Sequence, residues 1–311
     1  MEHFTDRVSE AVRRKGTSLC VGLDPRWEAL PEDVRRRHGG GSLEAVADAY
    51  LEFCLRVIDV VADLVPVVKP QSAFFETCGP AGLDALRNVL HHARRRGLPT
   101  ILDSKRNDIA STAAAYADAA LAGVTFEGRR FPVWEADALT VNPYLGRDAV
   151  EPFLQSARRC GGGVFVLVRT SNAGAAQFQD LLATRPGRTE AGRPLFLHVA
   201  EAVRSWACEN LGSCGLGDVG AVVGATYPAE LALLRKELPE VLFLVPGFGA
   251  QGGKAEDVMA AFRPDGLGAL VNSSRAILFP CDPADPAWEQ HVEKATRDTI
   301  TALPRVPSRQ G

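Results

Sequence analysis

Eight short, continuously apolar runs, each closed by a polar or glycine-rich turn and followed by a helical pattern, predict an α/β protein folded as a single (β/α)8 TIM barrel. Two further observations favour a closed barrel over an open doubly wound sheet. The 311 residues hold all eight units at a length where such barrels form one domain, here 1–311. The turn after the first run, VGLDPRW (21–27), also lacks the glycine fingerprint that opens a dinucleotide-binding sheet.

In front of the first run, MEHFTDRVSEAVRRKG sets Phe4, Val8 and Val12 at helical spacing with Gly16 as a stop. This predicts an extra N-terminal helix over about 3–15, and it lacks the apolar centre of a signal peptide. The runs that follow are SLCVGLD (18–24), PVVKPQ (66–71), PTILDSK (99–105), DALTVNP (137–143), GVFVLVRT (163–170), VGAVVGAT (219–226), VLFLVPGF (241–248) and GALVNSS (268–274). Their hydrophobicity is continuous rather than alternating, as in parallel strands covered on both faces. Helical periodicity fills the gaps over 43–64, 83–96, 110–121, 149–159, 197–211, 228–238 and 286–303. Two longer connections remain: 125–136 on the bottom side before strand four, and 172–193 on the top side after strand five. The second reads equally as cover for a site and as a surface insertion. The tail PRVPSRQG (304–311) is expected to fray.

Composition narrows the function. Hydrophobic residues at 46% and charged residues at 23% support a large core, and the net charge of -3 offers no basic field to nucleic acid. The arginine clusters at 35–37 and 94–96 read as solvated helix faces. Seven scattered cysteines without a C-x-x-C pair read as reduced thiols, and no apolar run reaches the roughly 18 residues of a membrane span. A cytoplasmic protein is expected.

Barrel chemistry sits at the carboxyl ends of the strands. Those ends carry Asp24, Lys69, Asp103 with Lys105, Asn142, Thr170 with Ser171, Thr226, and 272–275. On an extended segment Asp103 and Lys105 point to one side, and strand two, the neighbour of strand three, brings Lys69 beside Asp103. A structural ion-pair network is the plain alternative, but burying such a row costs on the order of several kcal/mol per ion, which favours function. The chain has six Lys among its 35 basic residues, and two of the six stand at these strand ends. Lys can hand over a proton where Arg cannot, so the choice suits acid catalysis. Asp108 precedes a good helix and reads equally as its N-cap; Asp24 before Pro25 reads equally as a turn residue. The last two loops, PGFGAQGG (246–253) and NSSR (272–275), stand where these barrels bind phosphate, with Gln251 and Arg275 as donors.

The segment from Asp103 to Ile109, DSKRNDI, resembles the D-x-K-R-x-D-I signature of the orotidine 5'-phosphate decarboxylases. CVGLDPR, VVKPQSAFFE, LTVNPYLG, VRTSNAGA and VPGFGAQGG resemble the longer, bacterial (type 2) subfamily, in order from about 18 to 277. The resemblance implies decarboxylation of orotidine 5'-phosphate to UMP, the last step of de novo pyrimidine synthesis, without metal or organic cofactor. It implies Lys105 as proton donor to C6, Asp103 beside the departing carboxylate and Lys69 at the ribose. It also implies that Asp108, with Ile109 and Thr112, enters the neighbouring subunit's site, so a homodimer with shared sites is expected. The resemblance likewise implies Asp24 at a ribose hydroxyl, Ser171 at the pyrimidine amide edge, and Gln251 and Arg275 at the phosphate; Asn142, at the end of strand four, is a further candidate contact. The alternatives are a metal-dependent sugar-phosphate aldolase or epimerase on the same barrel, and a non-catalytic nucleotide-binding barrel.

Overall fold

The computed structural model describes residues 1–184, 187, 191–248 and 255–306, and each of the eight predicted runs forms a strand. These are β1 (Leu19–Leu23), β2 (Val67–Pro70), β3 (Ile101–Arg106), β4 (Ala138–Val141), β5 (Gly163–Arg169), β6 (Val219–Val223), β7 (Phe243–Val245) and β8 (Ala269–Ser273). They lie parallel in the order β2-β1-β8-β7-β6-β5-β4-β3, and bridges Val68–Thr100 and Gln71–Asp103 join the two ends, so the sheet nearly closes into a barrel. The helices are α1 (Phe4–Lys15), α2 (Leu43–Val61), α3 (Gly79–Arg95), α4 (Ala110–Ala120), α5 (Arg147–Cys160), α6 (Leu195–Ala207), α7 (Pro228–Glu237) and α8 (Trp288–Ala302).

The continuous runs follow from burial on both faces. Along β1, Leu19, Val21 and Leu23 pack outward against the helices, whereas Cys20 joins a second core inside the barrel. That inner core is closed from below by α1, whose Phe4, Val8 and Val12 meet Val67, Ile101, Phe165 and Leu270. The Phe4 ring stands edge-on to Phe165 with centroids 6.0 Å apart. Gly163 makes this approach possible, since a Cβ there would lie 2.4 Å from the Phe4 ring. Burying a side chain such as Phe4 or Val8 is worth about 1.5–3 kcal/mol, so α1 is part of the barrel and not an appendage.

Several expectations need correction. The 125–136 connection is not plain loop: 124–126 and 129–131 pair as an exposed antiparallel hairpin. In the 172–193 connection Leu182–Ala183 pairs with Arg193–Pro194. Fraying does not begin at 304, because Val306 is 7% exposed and packs into the inner core; 307–311 lie outside the described residues. Short helices over Glu32–His38, Ser72–Glu76 and Arg275–Leu278 carry no sequence pattern long enough to announce them. Among the described residues no helix is long and apolar enough to cross a membrane.

Candidate active site

Because the side-chain period of a strand is two, Val67 and Lys69, Ile101 and Asp103, and Ala138 and Thr140 share the inner face, with the polar member nearer the carboxyl end. There Lys69 Nζ donates to Asp103 Oδ2 at 2.7 Å and Lys105 Nζ donates to Asp103 Oδ1 at 2.7 Å. Lys69 is 5% and Asp103 6% exposed, whereas Lys105 reaches into the open. Burial opposes charge on both buried groups. It is outweighed: Asp103 and Asp24 hold Lys69 above the usual ammonium range, and Lys69 and Lys105 hold Asp103 well below the usual carboxylate range. Two ammonium groups thus share the one Asp103 carboxylate, one on each oxygen.

Lys105 is not on a regular extended segment, as the sequence reading assumed. Its φ is 47°, and β3 shifts register against β4 so that Leu102 faces Leu139 and Arg106 faces Val141. Three residues, 103–105, therefore stand opposite Thr140 alone. Thr140 Oγ1 accepts from the amides of Ser104 (3.0 Å) and Lys105 (2.9 Å) and donates to Asp103 Oδ1 (2.9 Å). One hydroxyl thus fixes the bulge and the carboxylate together. Sequence reasoning missed it, since a threonine inside a strand carries no signal of its own.

Two cavities meet at this row, sharing Lys69, Asp103 and Pro246. The first, of about 440 Å³, has an apolar floor of Leu167, Val222 and Leu244 and polar walls that include Lys105, Ser171 and Gln179. Gly224 lets Ser171 approach, since a Cβ there would lie 2.9 Å from that of Ser171. The second, of about 210 Å³, is lined by Asp24, Arg26, Gln71, Asn272 and Arg275 among others. Asp24 Oδ1 and Asn272 Oδ1 are buried here and have no hydrogen-bond partner among the described residues, so both can accept from a hydroxyl. An elongated ligand with one ring-like end and one anionic end fits this pair of chambers.

Residues 17–288 match the family model described as orotidine 5'-phosphate decarboxylase / HUMPS. The chain belongs to that family. It is 51% identical over 279 residues to the orotidine 5'-phosphate decarboxylase of Rhodopirellula baltica, spanning 90% of this chain and 89% of that protein. It is 41% identical over 305 residues to the enzyme of Roseiflexus castenholzii, spanning 97% and 99%. The solved OMP decarboxylase of Leishmania donovani matches with a TM-score of 0.72 at 34% identity over 96% of both chains.

In this decarboxylase-family chain, Lys69, Asp103, Lys105 and Ser171 converge on the first cavity and Asp24 and Arg275 on the second. Four candidates stand apart. Asn142 uses its side-chain oxygen on the amide of Tyr144 (3.0 Å), shaping the turn after β4, and does not line either cavity. Asp108, Ile109 and Thr112 are likewise outside the chain's own cavities, and Ile109 is 60% exposed. Asp108 is not the N-cap of α4: that position is Ile109, without a side-chain cap, and Asp108 Oδ1 accepts from the next amide (2.8 Å). Gln251 lies outside the described residues. Arg26, Gln71 and Gln179 were not anticipated, being ordinary polar residues in ordinary turns.

Proposed function

We propose that this chain decarboxylates orotidine 5'-phosphate to UMP and CO2, the last step of de novo pyrimidine synthesis, with Lys105 as the proton donor to C6. The observation that carries the reading is the Lys69–Asp103–Lys105 row, which holds a partly exposed ammonium at the edge of a chamber with an apolar floor. The bond from C6 to the carboxyl carbon breaks, its electron pair stays on C6, and CO2 departs. Fixed charge is what such a carbanion needs, and the Lys105 ammonium, held by Asp103, is already in place before reaction. The Lys105 ammonium then gives its proton to C6 and recovers one from solvent. Asp103 holds that ammonium from the side on which the carboxylate leaves.

The remaining candidates take places along the ligand. Ser171 faces the pyrimidine amide edge in the first cavity, and Asp24 takes a ribose hydroxyl at its unused oxygen. Arg275, with Gln251, holds the phosphate. Binding energy from that remote end helps seat the reacting ring. The protein is a one-domain cytoplasmic homodimer, and Asp108, Ile109 and Thr112 complete the partner's site; the exposure of Ile109 and Thr112, and the place of all three outside the linings of the chain's own two cavities, support this.

The test follows the loss of orotidine 5'-phosphate absorbance with purified protein, with and without EDTA. Turnover that survives EDTA and disappears in Lys105→Ala, while UMP still binds, is the expected result. Turnover that requires an added divalent metal favours the aldolase or epimerase reading. A Lys105→Ala protein keeping more than about a tenth of the rate removes Lys105 as the proton donor, since a positioned acid contributes about 100-fold or more.

A further inference from the structure

Arg169 is 1% exposed and heads the largest fully buried side chains, yet it does not line either cavity. Its burial begins with a fault in the strand ladder. From Val164 to Leu167, β5 pairs in step with Val219 to Val222; it then skips Val168, so that Arg169 faces Val223. Leu167 and Val222 line the first cavity, whereas Val223 packs on the helix side. The bulge therefore turns Arg169 outward, away from the cavity that a regular strand would have pointed it into.

On that outer side every nitrogen of the guanidinium is engaged. Nε and Nη2 donate to the two oxygens of Glu230 at 2.5 and 3.2 Å, and Nη1 lies 2.8 Å from Asp180 and donates to Gln179 Oε1 at 3.4 Å. Its Cζ sits 4.4 Å from the Tyr227 ring centre and 5.2 Å from that of Phe196. Glu230 belongs to α7, Tyr227 immediately precedes it, and Gln179 and Asp180 belong to the connection after β5. One cation thus ties the strand end, the following loop and the next β/α unit. Gln179 carries the tie back to the rim: its Oε1 accepts from the Thr170 amide (2.9 Å) and its Nε2 donates to Thr170 Oγ1 (2.7 Å). Thr170, Ser171, Asn172 and Gln179 together form one wall of the first cavity.

We propose that Arg169 is a positioning residue that sets the nucleobase wall by holding the 170–180 segment against α7. It touches no substrate; it acts through Gln179 and Thr170 on Ser171. The inference rests on the reading that the first cavity receives the pyrimidine. A planar, five-donor fork is required, because a lysine ammonium reaches Glu230 or Asp180 but not both oxygens of one and the other as well.

The experiment compares two ligands that differ only in having a base, UMP and ribose 5-phosphate, on the full-length protein and on Arg169→Met, Arg169→Lys and Glu230→Gln. The dissociation constant for UMP is expected to rise at least tenfold in both Arg169 variants and at least threefold in Glu230→Gln. That for ribose 5-phosphate should stay within twofold, and amide exchange over 170–180 should accelerate. A residue with only a structural role lowers stability and moves the two ligands alike, or neither. If Arg169→Met does not fold, Arg169→Lys and Glu230→Gln, which keep the buried volume, carry the comparison. UMP binding within twofold of wild type in these variants overturns the inference, as does an equal loss for both ligands. A wild-type protein that neither binds UMP nor decarboxylates orotidine 5'-phosphate overturns the functional reading and the inference with it.

Discussion

Replacing Thr140 by Val keeps the shape of the side chain and deletes the one oxygen on which the β3 bulge is built. The hydroxyl donates to the buried Asp103 carboxylate and accepts two consecutive amides, those of Ser104 and Lys105. A bond to a charged group is worth about 1.5–3 kcal/mol, and each of the two amide bonds near the solvent-reaching Lys105 adds about 0.5 kcal/mol, so the loss is about 2.5–4 kcal/mol. For 311 residues the unfolding entropy is near 0.65 kcal/mol/K at about 2.1 cal/mol/K per residue, which converts the loss to a fall in Tm of about 4–6 °C.

The same change acts on Lys105 through its backbone. A non-glycine residue at φ 47° pays about 1–2 kcal/mol for the left-handed conformation, and the two amide bonds to Thr140 are what hold it there. Once they are gone, Lys105 relaxes and the fraction of molecules with its ammonium in the row falls by about 5- to 30-fold. Steady-state assay of decarboxylation should show kcat falling by that factor while KM moves less than about threefold. Thr140→Ser, which restores the oxygen, should recover most of both losses. A Thr140→Val enzyme with wild-type kcat and a Tm within 1 °C of wild type would refute the claim that this hydroxyl holds the bulge.

Arg275→Ala should lower kcat/KM by about 10- to 100-fold, chiefly through KM, because a charge-assisted contact to phosphate is lost; unchanged kinetics would move the phosphate site elsewhere. Asp103 has a native pKa depressed by Lys69 and Lys105 against the burial that would raise it, so its contribution to stability is present above about pH 4 and is lost as pH falls through the native value. The gap in unfolding free energy between wild type and Asp103→Asn should therefore shrink below about pH 4, and a gap constant from neutral pH down to about pH 2 would contradict the linkage. Asp108→Asn and Lys105→Ala should each be inactive, yet an equal mixture after subunit exchange should regain about a quarter of wild-type activity, from one intact site in each mixed dimer. Demonstrated exchange without recovery would place both residues in one subunit's site.

Much of this fold was legible because a parallel barrel buries both faces of its strands. A charge within such a run is then conspicuous, and Lys69 and Asp103 stood out for that reason. What stayed hidden was anything decided by register. Period-two reasoning put Asp103 and Lys105 on one side and so found the correct neighbours, but from a regular strand that does not exist there: the bulge and a left-handed Lys105 bring the two side chains together. For Asp108, where the N-cap and site readings stood equal, the cap reading fails, since the preference of Asp for helix N-caps is real and the chain nevertheless starts α4 one residue later. The hairpin over 124–131 was missed for a third reason, as its strands of three residues are too short for alternation to be read.

The two register faults have a common logic. Both lie at the carboxyl rim, in β3 and in β5, and each inserts residues where a regular ladder would have continued. The first keeps a second charge on the cavity side, placing Lys105 beside the carboxylate that Lys69 already grips. The second removes a charge from the cavity side, sending Arg169 outward to Glu230 and Asp180 while Ser171 stays at the rim. A regular strand five would have aimed a third cation into the first cavity, crowding Lys69 and Lys105 and competing for Asp103. The fault in β5 therefore leaves Lys69 and Lys105 as the cations that share Asp103 on the cavity side. Local irregularity, which costs ladder bonds, is thus placed where it keeps one charge on the cavity side and turns another toward Glu230 and Asp180.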